Sequence, residues 1–297
     1  MLTVKEVTKV FNHTVAVDKL SFEVLPGSVF GLLGPNGAGK TTTLRMIMNI
    51  IKPDSGEIIF EGITNDTQAF IRVGYLPEER GLYQKMKLHE TIVYLATLKG
   101  LEPRIASQKA YDYLKMFDLT EYAHRKIEEL SKGNQQKVQF IIAIIHDPVL
   151  LVLDEPFSGL DPVNQLLLKQ IINDLQQKGT TIIFSTHQME QVEKLCERIC
   201  LINCGKRILY GELKKIKKEY GVQHLQIEFI GDKQALGDLN LPDFQICDGR
   251  ITGVLHDTQK INDLLNTVMS RVTVSSFQVL EPSLEQIFID QVQKGGE

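Results

Sequence analysis

Hydrophobic and polar positions recur with different periods along the chain, and each change of period marks an element. Residues 2–30 carry short alternating or apolar runs, LTVKEV, TVAV and LSFEVLPG, separated by turn signals. They predict an antiparallel, β-rich segment. Ser28–Leu33 is continuously apolar enough for a buried strand, and Thr42–Ile50 carries helical spacing. Gly56–Gly62 (GEIIFEG) reads as a strand bounded by glycines, and Val73–Leu76 as another short one. From about residue 80 to 146 the period is helical. Leu88–Lys99 and Arg104–Phe117 are punctuated by Gly100 and Pro103, and a longer helix is expected over Gln136–His146. Strand-like runs return at Val149–Leu153 and Thr180–Ser185 with a helix over Val163–Gln177 between them, and Ile199–Asn203 reads as one more strand. This alternation predicts an α/β fold: a parallel sheet covered on both faces, with an antiparallel β subdomain before it and a helical insertion inside it.

Near Gly211–Tyr220 the pattern breaks into a charged helix, ELKKIKKEY, whose lysines read as a solvated face. The remaining residues read strand (His224–Ile230), helix, two short strands around Gly249, helix (Asp257–Met269), strand (Val272–Leu280) and helix (Ser283–Gln293). That order predicts a small α+β domain of the split β-α-β kind. The domains are expected at 1–216, with the insertion at about 80–146, and at 217–297.

The totals narrow the function. A chain of 297 residues with a net charge of −4 gives no global argument for nucleic-acid binding. The start, MLTVKEVTKVF, lacks the apolar core of a signal peptide, and Phe140–Ile145 (FIIAII), among the longest apolar runs, falls far short of a membrane span. A soluble, cytosolic protein is expected. Cys196, Cys200 and Cys204 recur every four residues, but no histidine lies close by. A helix-to-strand change between the first two would keep them from converging on a metal, so they are expected as buried small apolar residues.

One stretch carries chemistry at every fixed position: Gly34-Pro35-Asn36-Gly37-Ala38-Gly39-Lys40-Thr41 matches the phosphate cradle G-x-x-x-x-G-K-[ST], between a strand and a helix. The glycines let backbone N–H groups converge on one anion, and the helix N-terminus adds its positive end. Lys40 would reach the β- and γ-phosphates of a nucleoside triphosphate, and the Thr41 hydroxyl would hold Mg²⁺.

Leu150–Pro156 (LLVLDEP) delivers two acids at the carboxyl end of a strand, where parallel sheets bind ligands. Asp154 is placed to hold Mg²⁺, and Glu155, on the other side of the strand, to accept a proton from the attacking water. Ser158-Gly159-Leu160-Asp161 follows, then Thr186-His187 at the next strand end, where His187 can donate to a γ-phosphate oxygen. Leu130-Ser131-Lys132-Gly133-Asn134 reads by itself as an N-cap serine with a glycine, opening a second helix N-terminus. Phe11, between two strand runs, reads by itself as a core aromatic at a strand end; the alternative is a ring that stacks on adenine.

The set GPNGAGKT, LSKGN, LLVLDEP, SGLD and STH, in this order and spacing, resembles the ATP-binding cassette (ABC) ATPase family over roughly residues 2–215. The resemblance implies ATP and Mg²⁺ as cofactors. It implies nucleotide contacts from Gly34 through Thr42 and from Asp161, a Phe11 ring against adenine, and catalytic roles for Glu155 and His187. It also implies a head-to-tail dimer with a second ATPase subunit, expected to be another copy of this chain, in which Ser131 and Gly133 contact the γ-phosphate bound by the partner's Lys40. Two positions depart from the family pattern: LSKGN stands for LSGGQ, and Glu78, after YLP, stands for glutamine. As an acid, Glu78 can join Thr41 and Asp154 as a metal ligand, at the cost of added negative charge. YLPEERGLY, LSKGNQQK and the ending EPSLEQIF resemble a subgroup of exporter ATPases, some assigned to sodium extrusion, whose permease is a separate chain.

The expectation is therefore an ATPase subunit that energises a separate membrane permease through dimer closure, docking near Glu78–Tyr83. It would lie peripherally on the cytoplasmic face of the membrane, with no nucleic-acid partner. The rival readings are a soluble cassette ATPase acting on ribosomes or DNA, and a non-hydrolysing regulatory module.

Overall fold

The N-terminal runs form two long antiparallel strands, β1 (Leu2–Phe11) and β2 (Thr14–Val24). TVAV and LSFEV, separate in the sequence pattern, belong to one strand. The polar pair Asp18-Lys19 that divides them is a β-bulge: both residues face the single Thr8, whose hydroxyl accepts the Lys19 N–H at 3.1 Å, and Lys19 takes a left-handed φ of 46°. The computed structural model describes residues 1–60, 72–79, 81–221, 224–236, 244–254, 261–280 and 282–294. Gly62, Arg80, Asp257 and Glu281, which the sequence places in or beside elements, lie outside the described residues.

β3 (Val29–Leu33) is buried at all five positions and leads through the phosphate loop into α1 (Lys40–Ile47). β4 (Ser55–Phe60) returns to pair with β1, giving the three-stranded order β2-β1-β4. β5 (Val73–Leu76) precedes the helical insertion. There, α2 (Leu88–Leu98) buries Leu88, Thr91, Ile92 and Ala96, and α3 (Pro103–Met116) buries Ala106, Ala110 and Leu114 at four-residue spacing. α4 (Lys132–Ile144) starts four residues earlier than its apolar spacing indicates, because Ser131 supplies the N-cap.

Next come β6 (Leu150–Asp154), α5 (Pro162–Gln177), β7 (Thr181–Thr186), α6 (Met189–Leu195), β8 (Arg198–Asn203) and β9 (Lys206–Glu212). The main sheet has the order β5-β6-β7-β3-β8-β9, parallel up to β8, with β9 antiparallel at the edge. β9 escapes the sequence pattern because KRILYGE at a sheet edge buries only Leu209. The parallel strands carry the phosphate loop, the Asp154-Glu155 pair and Thr186-His187 to one edge of the sheet.

The chain divides into two compact units, Met1–Leu213 and Lys214–Glu297, with the boundary at the start of α7 (Leu213–Tyr220). In the second unit, β10 (His224–Ile230), a 3-10 turn at Lys233–Leu236, β11 (Phe244–Cys247), β12 (Arg250–Val254), α8 (Ile261–Met269), β13 (Thr273–Leu280) and α9 (Leu284–Lys294) follow. Their antiparallel sheet has the order β11-β12-β10-β13. β10 and β11 thus run parallel with β12 between them, the split β-α-β arrangement. Leu225, Ile227 and Phe229 alternate along β10 onto a core shared with Ile251 and Val268.

Candidate functional site

The loop after β3 is shaped by close backbone contacts. A Cβ at Gly34 would lie 2.2 Å from the Ile202 carbonyl oxygen of β8, and one at Gly39 would lie 2.4 Å from that of Ala16 in β2. Both glycines also hold positive φ, 152° and 101°. Only a residue without a side chain lets the loop pass between those strands. The Pro35 carbonyl accepts from Ala38 N at 3.2 Å, and the Ala38 carbonyl accepts from Gly205 N at 3.0 Å. The loop therefore hangs from the β8–β9 turn. Asn36, Gly37, Gly39, Lys40, Thr41 and Thr42 line a cleft with Ala16, Glu78 and Glu155. The free N–H groups at the start of α1 make this cleft an anion site.

Lys40 is 6 % exposed. Its Nζ donates to the Gly34 carbonyl at 2.9 Å and the Pro35 carbonyl at 3.2 Å, and lies 3.5 Å from Glu155 Oε1. An ammonium this buried needs a countercharge, and the Glu155 carboxylate supplies it.

Asp154 is completely buried. Its Oδ1 accepts a short hydrogen bond from the Ser185 hydroxyl, while its Oδ2 has no hydrogen-bond partner. Burial pushes this carboxyl above the usual carboxylate range; the Ser185 and Thr41 hydroxyls pull it back, and the Glu78 and Glu155 charges push it further up. A buried carboxylate oxygen with no partner is costly unless a cation meets it. The Thr41 hydroxyl, which also lies 3.4 Å from Glu78 Oε2, completes an all-oxygen donor set. That chemistry fits a hard divalent cation such as Mg²⁺.

Glu155 diverges from its neighbour by a route the strand pleat does not provide. β6 ends at Asp154, and Glu155 turns into a left-handed conformation with φ 48°. Its N–H is shared between the Ser185 carbonyl at 3.2 Å and the Ser185 hydroxyl at 3.1 Å. Its Oε2 accepts from the Thr186 hydroxyl at 3.2 Å, and its Oε1 sits 3.0 Å from His187 Nδ1 as well as beside Lys40. Strained backbone held by this many contacts concentrates at functional sites.

The structure thus gathers Gly34–Thr42, Glu78, Asp154, Glu155 and His187. Four other expected residues neither line the cleft nor, among the described residues, contact those that do. Ser131 caps α4, accepting from Asn134 N at 3.2 Å. A Cβ on Gly133 would lie 3.2 Å from the Gly159 carbonyl oxygen. Asp161 caps α5, and the Asn164 backbone and side-chain N–H groups hold its carboxyl below the usual range. Phe11 ends β1, 44 % exposed, with the Lys9 ammonium 5.4 Å from its ring centroid. Sequence reasoning did not single out Ala16, and it placed Ser185 and Thr186 in the STH stretch without a role of their own. The signal for the last two was present: two hydroxyl residues end β7, the first in register with Asp154 at the end of β6.

The cysteines divide. Cys196 and Cys200 are buried, and burial pushes the Cys200 thiol up to about 12, but Cys204 is exposed on the β8–β9 turn. It does not act as the buried apolar residue expected, because hairpin geometry sets that position, with φ 47°. Among the described residues no cluster of His, Cys, Asp and Glu could hold a metal by itself, and no helix is long and apolar enough to cross a membrane.

Residues 17–158 match the family model described as ABC transporter, and residues 211–292 match that of the C-terminal domain of DrrA1-3-like ATP-binding proteins. The chain is 44% identical to an uncharacterized ABC transporter ATP-binding protein, YhaQ, of Bacillus subtilis, over 98% of each chain. It is 31% identical to the linearmycin resistance ATP-binding protein LnrL of the same organism, over 98% of this chain and 97% of that one. Nod factor export ATP-binding protein I of Burkholderia pseudomallei is 38% identical over 75% of each. Among solved structures, an ATP-binding subunit of an ABC transporter superposes with a TM-score of 0.69 at 29% identity, covering 74% of this chain and 93% of that one. A dimeric bacterial ABC transporter cassette shares the fold with a TM-score of 0.66 at 24% identity, over 72% of this chain and 99% of that one.

Proposed function

The chain belongs to the ABC transporter family of ATP-binding proteins, and on that premise we propose that it powers export through a membrane permease carried on a separate chain. It is an ATPase. Two relatives named for export or resistance support the direction of transport. The observation that carries the reading is the division of the site. The cleft holds the phosphate loop, Glu78 and Glu155, with Asp154 and His187 beside them, whereas the caps of α4 and α5 lie outside it.

The backbone N–H groups of Gly34–Thr42 would cradle the triphosphate, with Lys40 on its β- and γ-phosphates. Thr41, Asp154 and Glu78 would hold Mg²⁺, which supplies positive charge to the phosphate oxygens. An arriving γ-phosphate competes with Glu155 for Lys40 and His187. The freed Glu155 carboxylate can then take a proton from water as that water's oxygen attacks the γ-phosphorus and the bond to the ADP oxygen breaks. His187 would hold a γ-phosphate oxygen, and the exposed Phe11 ring would lie against adenine. Ser131, Gly133 and Asp161 would serve the nucleotide of a second copy. A two-fold dimer supplies both such sites at once, so ATP closes it and hydrolysis reopens it.

The permease would dock near Glu78–Tyr83, where Tyr83 is 51 % exposed, and would hold the chain peripherally at the cytoplasmic face of the membrane. Gentle co-purification from native membranes tests the reading. A multi-span protein recovered in about equal amount is the expected result. Ribosomal or DNA-repair components, with nothing from the membrane fraction, would overturn it.

A further inference from the structure

β6 and β7 are parallel neighbours, and their register sets Asp154 directly beside Ser185 near the carboxyl ends of the two strands. Both residues are completely buried. A buried hydroxyl with only one partner would be a packing detail, but this one is used on both sides. Its proton goes to Asp154 Oδ1, and its oxygen receives the Glu155 N–H at 3.1 Å.

We propose that Ser185 is a positioning residue that sets the metal carboxylate and the neighbouring Glu155 with one hydroxyl. Its bond to Oδ1 fixes the plane of the Asp154 carboxylate and leaves Oδ2 as the oxygen without a partner. Without that bond the carboxylate can rotate about its terminal torsion, which has a broad energy well. The bond to the Glu155 N–H acts on a different coordinate. Glu155 sits at φ 48°, a conformation unfavourable for a side-chain-bearing residue that persists only where surroundings over-determine it. The Ser185 carbonyl, at 3.2 Å, is the other acceptor of that N–H. One strand end therefore ties the orientation of the metal acid to the turn that carries the second acid out of the strand. Thr186, the next residue, continues the brace on the Glu155 carboxylate at 3.2 Å.

The inference rests on Asp154 as the metal carboxylate, and the test separates the two. Affinity for a fluorescent ATP analogue is measured on the full chain with and without Mg²⁺, and Mn²⁺ bound to the nucleotide-loaded chain is counted by electron paramagnetic resonance. Ser185→Ala and Ser185→Cys, the latter close in size but a poor donor, are expected to weaken Mn²⁺ binding roughly 10–100-fold, as loss of an outer partner of a metal ligand does. Affinity for the analogue without metal should stay at the parent value, and Ser185→Thr, which keeps the hydroxyl, should restore metal binding. Should the alanine variant fail to fold, the cysteine variant carries the comparison. Parental metal binding in the Ala or Cys variant overturns the proposal, and so does a Thr variant as weak as both. Asp154→Asn is the control. If it leaves metal binding intact, the metal assignment falls and takes the Ser185 role with it; if it abolishes binding while Ser185→Ala does not, only the Ser185 role falls.

Discussion

The Lys40 ammonium lies 3.5 Å from the Glu155 carboxylate, so the group proposed to bind phosphate is neutralised by the group proposed to activate water. His187 meets the same oxygen at 3.0 Å. On the proposed mechanism, nucleotide would have to displace Glu155 from both before it acts as a base, which would couple binding to activation through a single carboxylate.

Glu155→Gln keeps the shape and most hydrogen bonds but removes proton acceptance. Turnover is expected to fall roughly 10²–10⁴-fold, with ATP binding retained or tightened because the γ-phosphate no longer competes with a charge. Steady-state kcat and equilibrium nucleotide binding, measured side by side, check this. Near-normal turnover would remove Glu155 from the base role.

Lys40→Ala removes the buried cation while leaving the loop N–H groups in place. Triphosphate affinity should drop at least about ten-fold, since a charge-assisted phosphate contact is among the stronger hydrogen bonds. Titration calorimetry with ATP reports it, and unchanged affinity would contradict the site.

Much of this site was legible in the sequence because its parts are local. The phosphate loop, the Asp154-Glu155 pair and His187 each sit at a strand end announced by an apolar run, and parallel strands carry such ends to one edge. What the sequence hid was set by contacts between distant segments. The Asp18-Lys19 bulge looked like a break between strands, because its partner Thr8 lies in another strand. β9 at the sheet edge carries too little burial to show a period. The separation of Asp154 from Glu155 follows from a left-handed turn rather than from pleat alternation, and only the register with Ser185 explains why that turn is tolerated.

Gly39→Ala tests the loop's backbone requirement. The residue holds φ 101°, and an added methyl would meet the Ala16 carbonyl oxygen at 2.4 Å. Strain and collision together should cost more than about 2 kcal/mol in folding or force the loop out of its cradle shape. Thermal unfolding and ATP affinity should both fall; a variant normal in both would show that the loop does not need this geometry.

Ser131→Ala separates a cap from a contact made across a dimer. Loss of the bond to Asn134 N should cost about 1 kcal/mol of stability. Single-chain ATP binding should be unaffected, because Ser131 lies outside the cleft. Hydrolysis that rises with protein concentration in the parent should lose that dependence in the variant. If hydrolysis keeps the parental dependence, the role in the second copy's site is wrong.

His146 makes stability depend on pH. Its two ring nitrogens are buried without hydrogen-bond partners, and nearby Lys99 and Lys109 donate to the Val73 and Ile145 carbonyls at 3.0 and 3.2 Å. Burial first, then the Lys99 charge, lowers its pKa from 6.5 to about 4; the Val73 backbone and then Asp147 only partly oppose them. The folded state therefore refuses a proton that the unfolded state accepts. Stability from this group is fully present above about pH 6.5, declines as the pH falls, and is lost by about pH 4. His146→Leu fills the same space without the titrating nitrogens, so its unfolding midpoint should fall less steeply between pH 6.5 and 4 than that of the parent. At pH 8 the two should differ little, because an apolar group replaces a ring whose nitrogens had no partners to lose. Unfolding midpoints recorded across that range decide the matter. Parallel curves for the two proteins would mean that His146 is protonated in the folded state and that another group sets the acid limb.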